Sequence, residues 1–139
     1  MENPNTIDNT YTIIRRLGEG FFSFLYLVRN NNIEYIAKIR IRNENGFQQE
    51  LQMTTLASGL NNPNIIHLNN HGIGPFKYNG RVEENKHYLI LDYYPKGDLF
   101  KYIEQGPLSE RQAKYVFKKI LQGVQALHGV GVCHKNLKL

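Results

Sequence analysis

Gly18 and Gly20, Ser23, Lys38, Glu50, Asp92 and Asp98 are the residues whose types and order could do chemistry together. The two glycines stand in LGEGFFSFL (17–25), between two β-compatible runs, where a backbone without Cβ atoms can bend closely over a phosphate. Ser23 takes the place of a third small residue. Lys38 lies within the otherwise apolar run EYIAKIRI (34–41), a setting in which an ammonium needs an anion, and Glu50 in the next segment is its candidate partner. With Asp92 and Asp98 the series points to a nucleotide cleft. Taken singly, the glycines also fit an ordinary hairpin turn and Lys38 a solvent-facing strand lysine. A glycine turn between two strands argues against a dinucleotide fold, whose glycines open a helix, and no Walker phosphate-loop pattern is present.

These residues need elements to hold them. Residues 1–10 are polar and turn-rich and are expected to form an N-terminal tail. YTIIRRL (11–17), FFSFLYLV (21–28) and EYIAKIRI (34–41) read as strands, and Asn30-Asn31-Asn32 tolerates turn dihedrals between the second and third, which describes two consecutive hairpins. GFQQELQMTTLASGL (46–60) has roughly helical apolar spacing. IIHL (65–68) and HYLILDYY (87–94) add two strands, separated by a Gly/Pro/Asn-rich connection. Beyond Pro95-Lys96-Gly97-Asp98 come a short helix, LFKYIEQ, and then a long one. Ser109 can cap the long helix with Gln112 as its capping-box partner, and Ala113, Val116, Phe117, Ile120, Leu121, Val124 and Leu127 recur at three-and-four spacing. The expected class is α+β: five antiparallel strands plus one helix over 11–94, then a helical part over 95–139.

In this order GEGFFS, YIAK, Glu50, PNIIHL (63–68), LILDYYPKGDLF (89–100) and LHGVGVCHKNLK (127–138) resemble the eukaryotic protein-kinase family, across about residues 11–139 but only the first half or so of a usual kinase domain. The resemblance implies a kinase-like N-lobe with the first helices of an incomplete C-lobe, and an ATP-binding serine/threonine kinase-like transferase. It places Gly18 and Gly20 over the ATP phosphates, with Ser23 for the third glycine, and Leu25 above the adenine. Lys38 is implied to pair with the α- and β-phosphates, oriented by Glu50. Leu91 falls at the back of the adenine pocket, Asp92 and Tyr94 at the hinge, and Asp98 near the ribose. Ile36 replaces a small alanine and narrows the space for adenine. Counting back from Pro63 lands on Met53 rather than Glu50, about one helical turn away.

The departure from the family comes in His134-Lys135-Asn136-Leu137-Lys138. Where Asn136 stands, the family has an Asp that accepts the proton of the substrate hydroxyl, and an amide is no base near neutral pH. Lys138 resembles the lysine that neutralises the transferring phosphate. The sequence ends at Leu139, ahead of the family's metal-binding residues, so the resemblance implies a fragment inactive on its own, with ATP weak or absent and Mg²⁺ only if the missing C-lobe is present. The alternative is a non-catalytic pseudokinase remnant acting as a protein-interaction module.

Composition bounds the rest. With 139 residues, 41% hydrophobic and 21% charged, the chain is neither a disordered tail nor a fibre. Cys133 is the single cysteine, which excludes an intramolecular disulfide and fits a reducing, cytoplasmic setting. No apolar run is long enough for a membrane span and no signal-peptide pattern opens the chain. The net charge of +5 is concentrated beyond residue 100, without the aromatic-interleaved basic groove expected of a nucleic-acid binder. His67, His71, His87 and His128 lack metal-ligand spacing, and no metal site is expected. The expected partners are ATP and a protein substrate or partner, with self-association through an exposed face of the long helix. Asn136→Asp in this 139-residue chain is predicted to leave protein phosphorylation undetectable; radiolabelled phosphate transfer is the measurement, and robust transfer would refute the reading.

Overall fold

The computed structural model describes residues 4–20, 22–41, 45–135 and 137–138, and strand alternation within them decides which side of the sheet is inside. In chain order the elements are β1 (Thr6–Ile7), β2 (Tyr11–Glu19), β3 (Ser23–Asn30), β4 (Ile33–Arg40), α1 (Asn45–Gly59), β5 (Leu68–Tyr78), β6 (Arg81–Asp92), α2 (Leu99–Ile103) and α3 (Glu110–Gly129). Ile7, Tyr11, Ile13, Tyr26, Val28, Ala37, Ile39, Phe76, Tyr88 and Ile90 form one buried cluster. Along β4 and β6 its members sit at every second position, so Ile36, Lys38, Leu89 and Leu91 belong to the opposite face.

The five-stranded, kinase-like N-lobe sheet expected from the sequence is corrected here. All pairings are antiparallel, and six strands close into a barrel in the order β1-β2-β3-β4-β6-β5, with β5 returning to β1. Closure comes from the segment read as a tail: Ile7 pairs with Tyr11 on one side and Phe76 on the other, and its side chain is fully buried. IIHL is not the strand expected there, since only its Leu68 belongs to β5; the strand is instead the Gly/Pro/Asn-rich connection that follows. β5 runs through Pro75, which is tolerated because the ladder is irregular between Gly74 and Phe76, and the Pro75 carbonyl accepts a hydrogen bond from the Asp8 N–H at 2.8 Å. Asn79 and Gly80, both at positive φ, make the two-residue turn into β6, as Asn31 and Asn32 do between β3 and β4.

A polar seam holds the closing strand. The Tyr88 hydroxyl donates to Asp8 Oδ2 at 2.6 Å, the Asn79 N–H donates to Asn5 Oδ1 at 3.0 Å, and Lys77 Nζ donates to Asn9 Oδ1 at 2.9 Å. Gly74 is required here, since a Cβ would collide with the Asp8 carboxylate. Burial first, and then the hydrogen bond to Asp8 and its charge, push the Tyr88 phenol well above its ordinary value of 10.0.

The chain divides into two compact units, Met1–Thr55 with His67–Tyr93, and Leu56–Ile66 with Tyr94–Leu139. In the second, Asp98 caps α2 by accepting from the Lys101 N–H at 2.8 Å. The capping box of α3 is complete: the Gln112 N–H donates to Ser109 Oγ at 3.1 Å, and the Ser109 N–H to Gln112 Oε1 at 2.9 Å. Gly123 lets residues 62–64 lie against α3, because a Cβ there would stand 3.1 Å from the Asn64 carbonyl oxygen.

The Tyr88 phenol supplies a pH test. Below the ordinary tyrosine value both native and unfolded states are protonated and its contribution is complete; above it the unfolded chain ionises first, so stability falls as pH rises. Urea unfolding should show Tyr88→Phe less stable near neutrality by about 2 kcal/mol, with a shallower loss above about pH 10. Parallel pH slopes for the two proteins would refute the Asp8–Tyr88 seam as a source of closure.

Candidate functional site

Strand alternation puts Lys38 and Arg40 two residues apart on the outer face of β4, where Lys38 lies opposite Leu25 of β3 and Leu89 of β6. α1 follows β4, buries Phe47, and stacks the Phe47 ring on His87 of β6 at a centroid distance of 4.4 Å. One turn later Glu50 meets both cations: its Oε1 is 2.5 Å from Lys38 Nζ and its Oε2 is 2.5 Å from Arg40 Nη1. The Arg40 side chain is only 9% exposed and the Lys38 side chain 34% exposed. Arg40 also lies over the Phe22 ring, 5.1 Å from its centroid. Glu50, not Met53, therefore carries the partnership, one carboxylate shared by two cations. Arg40 went unnoticed in the sequence, although its place two residues after Lys38 on a strand puts it on the same face.

The glycine hairpin is closed on itself at its tip. Gly18 sits within β2 opposite Leu25, and the Gly20 N–H donates to the Ser23 carbonyl at 2.7 Å. Ser23 is a buried strand residue opposite Arg40. Neither glycine has positive φ, and a Cβ on Gly18 would meet nothing within 4 Å, so the local backbone does not demand glycine. Ile36 lies in register with Leu27 and Leu91. Asp92 accepts from Asn69 Nδ2 at 2.7 Å and donates its N–H to the His67 carbonyl at 3.2 Å. Tyr94 and Asp98 belong to the second unit; Tyr94 is exposed and Asp98 is occupied as the α2 cap. Lys138 is exposed, and Asn136 lies outside the described residues. Lys38, Arg40, Glu50, Gly18, Gly20, Ser23, Leu25, Ile36, Leu91 and Asp92 thus share the first unit, while Tyr94, Asp98 and Lys138 do not.

Several expectations are corrected by this geometry. The implied serine/threonine kinase, its transferase activity, and ATP as cofactor and partner all presuppose an open sheet facing a nucleotide cleft, whereas the sheet is closed by β1. Mg²⁺ fares no better: among the described residues no group of three His, Cys, Asp or Glu side chains is placed to hold a metal ion. No helix among the described residues is long and apolar enough to cross a membrane.

Comparison with known proteins gives the ancestry. The protein kinase domain family model matches residues 11–139. Myosin light chain kinase A of Dictyostelium discoideum is 32% identical over 138 residues, covering 95% of this chain and 44% of that protein. CBL-interacting protein kinase 26 of Oryza sativa subsp. japonica is 29% identical over 145 residues, covering 99% of this chain and 28% of that protein. Aurora kinase B of Mus musculus is 27% identical over 144 residues, covering 99% of this chain and 39% of that protein. The chain spans less than half the length of these relatives. It belongs to the protein kinase domain family, and the correction concerns the open architecture and the activity drawn from that resemblance.

The shared carboxylate makes the cluster's energetics testable. Removing Glu50 takes an anion from a guanidinium that is nearly enclosed, whereas removing Lys38 leaves Glu50 paired with Arg40. Glu50→Gln is predicted to destabilise the chain by about 3 kcal/mol. Lys38→Met is predicted to cost under about 1 kcal/mol, because the Lys38 side chain is itself 34% exposed and Glu50 stays paired with Arg40. Urea denaturation of both variants is the check, and a reversed order would refute Arg40 as the main partner.

Proposed function

We propose that this member of the protein kinase domain family works by binding another protein, with the first unit as a scaffold and the second as the binding surface. One observation carries this: α3 leaves an apolar stripe uncovered, with Phe117 60% exposed, Leu121 51% and Ile120 40%. These side chains lie on one helical face, at the spacing of a groove-binding or helix-packing surface. The first unit supports the scaffold role, because its ten-residue cluster is filled by side chains and the Lys38–Glu50–Arg40 group ties α1 to the sheet. In this view the glycine hairpin, Lys38 and Glu50 are retained for folding. Lys138 is an exposed lysine, and Asn136 puts an amide where the family has a carboxylate.

Charge selects the partner. From residue 94 onward there are eight Lys and Arg against three Asp and Glu, and Arg111, Lys114, Lys118 and Lys119 all lie on α3 with Glu110 as its acidic residue. A second copy packing its α3 symmetrically on this one would bring these cations together. An acidic amphipathic helix of another protein matches both the apolar stripe and the charge. A cytoplasmic setting, with the exposed thiol of Cys133 kept reduced, belongs to the same proposal.

The test uses a labelled peptide of about sixteen residues, with leucines at helical spacing and glutamates elsewhere, titrated with the chain and with Phe117→Asp. Binding that weakens at least about tenfold in Phe117→Asp and at high salt is the expected result. Equal binding of a lysine-for-glutamate peptide would overturn the proposal. So would a concentration-dependent dimer abolished by Phe117→Asp, because the stripe would then belong to a second copy.

A further inference from the structure

Another face of α3 carries a second feature. Tyr102 of α2 and Leu108, Arg111, Gln112, Tyr115 and Val116 line an open cavity of about 350 Å³, within the size range of binding pockets. Arg111 and Tyr115 are one turn apart, and Tyr115 and Phe117 project about 160° from each other around the helix, so the cavity lies beside the Phe117 stripe and meets it only at Val116, one turn before Ile120.

Its chemistry is lopsided. Tyr102, Leu108, Tyr115 and Val116 supply aromatic and aliphatic walls, and Tyr115 remains 64% exposed although apolar neighbours stand beside it. The Gln112 side chain is occupied by the capping box. That leaves Arg111 as the charged group of the lining, and it takes part in no ion pair among the described residues. The nearby cation Lys114 is neutralised by Glu110 at 3.1 Å, while Lys119 stands 5.5 Å from the Tyr115 ring centroid and adds positive potential. Among the described residues no carboxylate lines the cavity.

We propose that this cavity is a docking site for a short acidic peptide segment: one bulky apolar side chain enters between Tyr102, Leu108, Tyr115 and Val116, and a carboxylate next to it pairs with Arg111. The volume suits one leucine or phenylalanine anchor. The guanidinium fork offers two parallel donors to a carboxylate, which a lysine at the same place could not reproduce. The site goes beyond the stripe proposed above, and either can fail without the other.

The probe is a fluorescein-labelled peptide, Asp-Glu-Leu-Phe-Asp-Glu, titrated with the full chain by fluorescence anisotropy. It should bind at least about tenfold tighter than Lys-Lys-Leu-Phe-Lys-Lys or Asp-Glu-Ala-Ala-Asp-Glu. Arg111→Glu should weaken it at least about tenfold, Arg111→Lys by an intermediate factor, and Val82→Ser, an exposed change in the first unit, by less than about twofold. Because Arg111 is exposed, these variants test the site without challenging the fold, and circular dichroism confirms that. Equal affinity for the acidic and basic peptides, or an unchanged affinity in Arg111→Glu, would overturn the proposal. N-acetylphenylalanine competing as strongly as the peptide would also overturn it, by assigning the pocket to a small carboxylate. Loss of binding in Phe117→Asp with no effect of Arg111→Glu would place the peptide on the stripe and refute the cavity alone.

Discussion

Backbone donors and acceptors at the two edges of an antiparallel sheet seek partners, and in this chain two residues bridge one edge to the other. Thr6 and Ile7 pair with β2 and with β5 at once, and Ile7 drops a fully buried side chain into the cluster. A two-residue strand has few hydrogen bonds of its own, so its hold depends on the polar seam beside it. Asn5, Asp8 and Asn9 each reach the β5–β6 hairpin or its supporting tyrosine, and Gly74 stays bare so that the Asp8 carboxylate can fit. Along Tyr11–Thr12 and Phe76–Lys77, closure removes the free edge that would otherwise invite pairing with another chain. It also turns the inner face into a packed core rather than one wall of a cleft.

Every second residue of β4 contributes to that core, and the alternate ones are obliged to face outward. The outward set includes Lys38 and Arg40, two cations on one strand face that would repel each other without an anion between them. α1 brings Glu50 to that place by packing Phe47 against His87, and the carboxylate gives one oxygen to each cation. A lysine and a glutamate that the family motif associates with phosphate thus have a sufficient structural occupation here. The same pair of residues can serve either role, because an ion pair between strand and helix is what both roles need.

In the second unit the local signals are strong and the packing is incomplete. The capping box starts α3, Gly123 admits residues 62–64, and Leu127 is buried, but Phe117, Ile120 and Leu121 remain exposed. An amphipathic helix gains most of its stability from the partner of its apolar face. That uncovered face is what makes protein binding the function best supported by the geometry.

What was legible in the residues is whatever depends on near neighbours. The strand at Ile33–Arg40, the helices at Asn45–Gly59 and Glu110–Gly129, and the Ser109–Gln112 cap follow from period, propensity and capping chemistry. The Asn79-Gly80 turn was written there too and was passed over, because Pro75 and the surrounding glycines made residues 69–78 look like a connection. What no local pattern contains is the contact between distant segments. Asp8 meets Tyr88 across eighty residues, Ile7 finds Phe76, and Arg111 comes to line a cavity with Tyr102. The sequence by itself determined the strongly periodic and capped elements and the family, but neither β1 nor β5. The tertiary structure alone decided that the sheet closes, because closure is a pairing of its two edges, and such a pairing exists only once the strands between them have folded and twisted into place.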